Sequence, residues 1–185
     1  MANDTSAKEF VRDAYEYARH RGVPRLGLFP GNYPQTEGCT IADMVALGIQ
    51  LSDAGIGDYW DDVDHAVRNG LVECQATDRA ELERMVSVSP KRPRDAPWGA
   101  VSDWRFERGL QRQVLPGQET TEKVIERALG GFSHLSGAYH QFPFLMSCCT
   151  ANCNQAIYYA WEAIVRHDDE QAQVNLLLNR RSPWS

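Results

Sequence analysis

Apolar residues recur at intervals of three and four along most of this chain, in runs that end at glycine or proline. That periodicity restricts the fold to helices packed side by side. The clearest run is Ile41, Met44, Val45, Gly48 and Leu51, which predicts a helix from about Thr40 to Ser52 stopped by Gly55-Ile56-Gly57. Asp58 stands where a cap is expected for a third helix to about Cys74, with Val63, Ala66, Val67, Gly70 and Leu71 inward. Ser6 with Glu9 has the spacing of a capping box, and Phe10, Val11, Ala14, Tyr17 and Ala18 continue a first helix to about His20. Residues 22–35, with Pro24, Gly27, Pro30, Gly31 and Pro34, form a loop.

Further along, a short helix is expected from Arg79 to Val86 and another from Glu119 to Leu129, ended by Gly130-Gly131. Between them, Ser89 to Gly117 is irregular, with Pro90, Pro93, Pro97 and Pro116 and the basic residues Lys91, Arg92 and Arg94, and reads as a solvated excursion. A long, largely apolar helix from Thr150 to His167 carries Ala156, Ile157, Ala160, Trp161 and Ile164. Residues 173–179, QVNLLLN, read as a single β-strand. A strand without a partner suggests that its neighbours lie beyond Ser185. The expected class is therefore all-α with a C-terminal strand.

The 185 residues suffice for one domain with a real core, and 43% hydrophobic with 24% charged residues is ordinary for a soluble globular chain. A net charge of −6 argues against nucleic acid or an anionic membrane as partner. No segment has the length of a membrane span, and Met1 to Lys8 lacks the apolar core of a signal peptide, so a cytoplasmic location is expected.

The chain holds five cysteines: Cys39, Cys74, Cys148, Cys149 and Cys153. An odd number with one adjacent pair argues against a disulfide scaffold and leaves metal binding, catalysis or burial. Glu37-Gly38-Cys39 and Cys148-Cys149 both precede helices, where free N–H groups and the helix dipole favour thiolate. Three thiolates and a carboxylate could complete a tetrahedral zinc shell. Cys74, on an apolar helix face, reads as structural, and Cys153 as either. Asp58, Asp61, Asp62 and Asp64 cluster at a helix start without the spacing of a calcium loop. The five histidines form no HExxH-type pair, and no phosphate loop or GxSxG elbow is present. The five tryptophans could stack on a sugar, but each is more often a core or loop anchor.

Two stretches, Tyr33 to Gln75 (YPQTEGCTIADMVALGIQLSDAGIGDYWDDVDHAVRNGLVECQ) and Ser147 to Trp184 (SCCTANCNQAIYYAWEAIVRHDDEQAQVNLLLNRRSPW), resemble two blocks of the β-L-arabinofuranosidase catalytic-domain family, glycoside hydrolase family 127. The resemblance implies an (α/α)6 toroid of six helical hairpins, here only partial, over residues 1–169, with residues 170–185 leading towards a β-sandwich domain absent from this chain. It implies a retaining glycosidase acting on L-arabinofuranosides. Carried over by position, Glu37, Cys39, Cys148 and Cys149 would hold zinc, and Cys148 would be the nucleophile. Thiolate attack would give a glycosyl thioether that water then hydrolyses. The chain departs from the family in three ways. The general acid/base is a glutamate upstream of Glu-x-Cys, whereas residues 17–36 contain no Asp or Glu. Met146 stands where a further cysteine is usual. Family members are much longer. A carboxylate such as Glu16 or Asp43 would have to serve as acid. The rival expectations are a catalytically inactive relative that holds zinc as a binding or structural module, and a metal-free helical domain with buried thiols.

Overall fold

The computed structural model describes residues 4–29, 36–88, 122–132, 135–136, 147–167 and 170–179. Over these residues the chain is mostly helical, as the periodicity requires. Helix α1 spans Thr5–Arg21 and is capped by Asp4, whose carboxylate accepts from the Ser6 and Ala7 amides. The cap is thus Asp4 and not Ser6, because the chain turns helical two residues earlier than the capping-box pattern implies. A 3-10 turn at Pro24–Leu26 and the short strand β1, Thr36–Glu37, lead into α2, Gly38–Asp53. Ile41, Val45 and Leu51 are fully buried, and Met44 and Gly48 lie beside them on the expected face.

Helix α3, Trp60–His65, runs into a π-helical turn at Ala66–Leu71 and a last turn α4, Val72–Cys74. Val63, Ala66, Gly70 and Leu71 face inward, as expected, with Val67 half-buried. The widened turn lies against the 3-10 loop. A Cβ on Gly27, which has φ +65°, would stand 2.4 Å from the Ala66 Cα, and one on Gly70 would stand 2.5 Å from the Gly27 carbonyl oxygen. Asp62, buried, receives Arg19 at 2.5 Å and the Tyr15 hydroxyl at 3.5 Å, and Tyr59 donates to Glu16 at 2.8 Å. These bonds fasten α1 to α3. The acidic cluster is therefore spent partly on ion pairs, Asp62 with Arg19 and Asp64 with Arg68.

Two compact units emerge, residues 1–77 with 130–185 and residues 78–129. In the second, α5 (Arg79–Val88) and α6 (Val124–Ala128) are joined by Arg79, which pairs with both Glu83 and Glu126 at 3.0 Å. The excursion expected at Ser89 to Gly117 lies outside the described residues.

In the first unit the chain returns beside its point of departure. The Ala76 amide donates to the Gly131 carbonyl and the Gly130 amide to the Ala76 carbonyl, both at 2.8 Å, and Gln75 bridges Phe132. Strand β2, Leu135–Ser136, pairs antiparallel with β1. Helix α7, Ser147–Ala163, then packs along α2. Its inward face is Cys149, Cys153, Ala156, Ala160 and Ala163, all small. Ile157 and Trp161, the larger apolar residues of this helix, are 38% and 46% exposed. Close approach of the two helices selects small side chains over large apolar ones.

The long helix ends at Ala163, four residues before the expected end. Asn175 donates its side-chain amide to the Ala163 carbonyl and its backbone amide to the Ile164 carbonyl. The chain then continues as β3, Val165–His167, paired antiparallel with β4, Ala172–Val174. The expected lone strand at 173–179 is thus the second arm of a hairpin and shorter than expected, and the argument from a missing partner falls with it. Leu176 enters the core of the first unit, so no division into compact units falls at 169/170. Among the described residues no helix is long and apolar enough to cross a membrane.

Candidate metal centre

Three short-range features bring distant cysteines together. Pairing of Thr36–Glu37 with Leu135–Ser136 brings the chain before α2 beside the chain leading towards α7. The Thr150 hydroxyl accepts from the Phe132 amide at 3.2 Å and ties the first turn of α7 to the strand return. The small inward residues of α7 let its first turn meet that of α2. Cys39 is the second residue of α2, and Cys148 and Cys149 are the second and third of α7.

The three sulfurs lie within 4.8 Å of one another. Cys39 Sγ is 3.4 Å from Cys149 Sγ, and Cys148 Sγ is 3.8 Å from Cys149 Sγ. Cys149 is fully buried, Cys39 half-buried and Cys148 exposed. The arrangement could hold a metal ion, with two sulfurs anchored in protein and one facing outward.

Burial pushes the Cys39 thiol up from its ordinary value, although contacts with Cys149 and Asn152 oppose the shift. Burial, followed by the closeness of Cys39 and Cys148, pushes Cys149 far up. Thiolate was expected at both helix starts from the dipole. For these two sulfurs desolvation outweighs it, since a helix terminus contributes only about 0.3–1 kcal/mol at most sites. Without a cation both groups are held as neutral thiols, so a metal bound here would displace their protons.

Glu37 is half-buried on β1 and does not belong to the group of ligand atoms lying within 4.8 Å of one another. Its charge reaches Asp43, one turn beyond Cys39, whose carboxyl is raised first by burial and then by Glu37. Glu16 bonds Tyr59, whose amide donates to Ser52 near the far end of α2. At 1.5 Å per residue that is on the order of 20 Å along the helix from Cys39, so of the two candidate acids only Asp43 is near the thiols.

Cys74 and Cys153 are both buried in the core. Burial, then the proximity of Cys74, pushes Cys153 up to about 12. The structural reading of Cys74 agrees with its place, and Cys153 packs behind the cluster. Sequence reasoning missed Asn152, whose side chain lies close enough to the Cys39 thiol to oppose the upward shift. The available signal was its spacing of four from Cys148, which puts both on one helix face. Of the tryptophans, Trp60 lies under the Arg166 guanidinium at 5.8 Å and Trp161 stacks on Tyr158; Trp98, Trp104 and Trp184 lie outside the described residues. No protein-family model, curated protein or solved structure matches the chain.

Proposed function

We propose that this chain carries the zinc–thiolate centre of a retaining glycosidase of the β-L-arabinofuranosidase type, built on part of an (α/α)6 helical toroid. The observation that carries the reading is the convergence of Cys39, Cys148 and Cys149 from two helix starts, with Cys148 alone exposed. The donor set suits the ion. Sulfurs around a tetrahedral zinc with bonds of ~2.3 Å stand about 3.8 Å apart, close to the 3.4 and 3.8 Å separations of the metal-free thiols. Glu37 would complete the shell after a side-chain adjustment.

Bound zinc would supply the positive charge that keeps these sulfurs deprotonated at neutral pH. Cys148 Sγ then attacks the anomeric carbon from the open side of the cluster, forming a glycosyl thioether and expelling the leaving alcohol. Water hydrolyses the thioether and restores the thiolate, with overall retention. Cys39 and Cys149 hold the nucleophile's position. Asp43 is the carboxylate best placed near the thiols to handle the leaving-group proton. L-arabinofuranosides are the substrate class, and zinc is the cofactor.

The second reading is a zinc-holding module without catalysis, favoured by the absence of any acid from residues 17–36. Without an acid/base a loss of about 10²–10⁴-fold is expected. The test is to load the chain with zinc, treat it with an aryl β-L-arabinofuranoside and look for a pentosyl adduct on Cys148. The good leaving group reduces the need for an acid. The adduct supports the enzyme reading. About one equivalent of zinc with no adduct supports the module. Folded protein that takes up no zinc overturns both.

A further inference from the structure

We infer that Cys148 is a site of reversible oxidation by peroxide and that Cys39 is its resolving thiol. The inference rests on how the three sulfurs differ in access and in the bonds they can form, and not on the glycosidase reading.

Cys148 is exposed, so a small oxidant in water reaches its sulfur directly, whereas Cys149 is 0% exposed. Reactive sensor cysteines share this pattern of one accessible sulfur beside a second thiol. Two neighbours could resolve the oxidised form. Cys149 is adjacent in sequence, and consecutive Cα atoms stand about 3.8 Å apart, below the usual ~4.4–6.8 Å of a disulfide. A bridge within that pair is strained. Cys39 comes from another helix, is half-buried, and has its sulfur within 4.8 Å of Cys148. A bond to Cys39 joins residues of two different helices and is free of the constraint that adjacency imposes.

The chemistry balances with a peroxide as oxidant. The Cys148 sulfur takes one oxygen as the O–O bond breaks, giving a sulfenic acid and water. The Cys39 sulfur attacks the sulfenyl sulfur, the S–O bond breaks, and hydroxide leaves with the Cys39 proton as a second water. Two thiols are oxidised to one disulfide, and the peroxide is reduced to two waters. The disulfide removes two of the three clustered sulfurs as metal donors, and a dithiol reductant restores them.

Metal-free full-length chain is treated with near-stoichiometric hydrogen peroxide, its remaining thiols are alkylated, and the disulfide is mapped. Cleavage after arginine leaves Cys39 on residues 26–68 and Cys148 and Cys149 on residues 128–166, so the cross-link joins two peptides and fragmentation assigns the partner. The expected result is a loss of about 2 Da per chain and a Cys39–Cys148 link that a dithiol reverses. Cys148→Ser should slow disulfide formation by roughly tenfold or more, and Cys39→Ser should leave a sulfenic acid at Cys148 that dimedone traps. A Cys148–Cys149 bond, a Cys39–Cys149 bond that survives Cys148→Ser, or no cross-link in the unsubstituted chain overturns the inference. The mapping of the unsubstituted chain decides the matter if a variant fails to fold. Sugar-adduct formation is read separately, so failure of one idea does not imply failure of the other.

Discussion

Cys39 and Cys149 lie 110 positions apart in the chain, yet their sulfurs are 3.4 Å apart, within hydrogen-bonding reach. Two helix starts are therefore held side by side, and the consequences can be measured.

Removing Cys74 and removing Cys148 should have opposite effects. Cys74→Ala takes a buried sulfur from the core and should cost about 1–2 kcal/mol in denaturant unfolding while leaving metal content unchanged. Cys148→Ala removes an exposed side chain and should leave metal-free stability nearly unchanged while lowering metal affinity in a competitive titration. The reverse pattern would show that the roles of the two thiols are misassigned.

The metal-free chain should lose stability as pH rises from about 9. Cys39, Cys149 and Cys153 all have folded-state values above those of an unfolded thiol, Cys153 at about 12, chiefly through burial. A raised acid of this kind favours the folded state while it is protonated, so its contribution is complete below the unfolded value of about 8.5. Above that pH each such thiol ionises first in the unfolded chain, and stability falls by about 1.4 kcal/mol per pH unit until the folded value is passed. Chemical denaturation between pH 7 and 10.5 checks the sign. Bound zinc should flatten the profile, since it holds the cluster thiols already deprotonated.

Two glycines of nearly equal φ should respond differently to alanine. Gly27 (φ +65°) and Gly55 (φ +68°) both have left-handed backbone, but a Cβ at Gly27 meets the Ala66 Cα and the His65 carbonyl at 2.4 Å, while one at Gly55 meets nothing within 4 Å. Gly55→Ala should cost about 1–2 kcal/mol, the conformational term alone. Gly27→Ala should cost at least ~3 kcal/mol, because the π-helical turn must also move. Equal midpoint shifts would deny the tight packing of loop and turn.

Asp62→Asn should loosen α1. The carboxylate is buried and receives both Arg19 and Tyr15, while the Arg19 side chain is 37% exposed, which tempers the electrostatic part. A loss of about 1–3 kcal/mol is expected. Faster hydrogen exchange in residues 5–21 than in α2 would locate it.

The legible part of the fold was the part where side-chain size and helical period agree. Ile41, Val45 and Leu51 announced α2, and Val63, Ala66 and Leu71 announced the inward face of the third helix. In α7 size and burial part ways: Cys153, Ala156 and Ala160 are inside because α2 comes close, and Ile157 and Trp161 are outside. A ranking by hydrophobicity points to the wrong face there. The end of that helix was hidden for a different reason, since Asn175, a tertiary partner, terminates it and no local glycine or proline does. The excursion at 89–117 lies outside the described residues. As for the site, the spacing of Cys39 from Cys148 says nothing about contact. Their shared place at helix starts put them forward together and the resemblance of the flanking blocks implied the ligand set, while Asn152 could be found only through its spacing of four from Cys148.

The backbone bonds between Ala76 and Gly130-Gly131 hold the two ends of the 78–129 segment beside each other. A segment joined in this way can lengthen or shorten while the residues at its ends keep their register. The number of residues between the two cysteine blocks can therefore change without moving the three sulfurs.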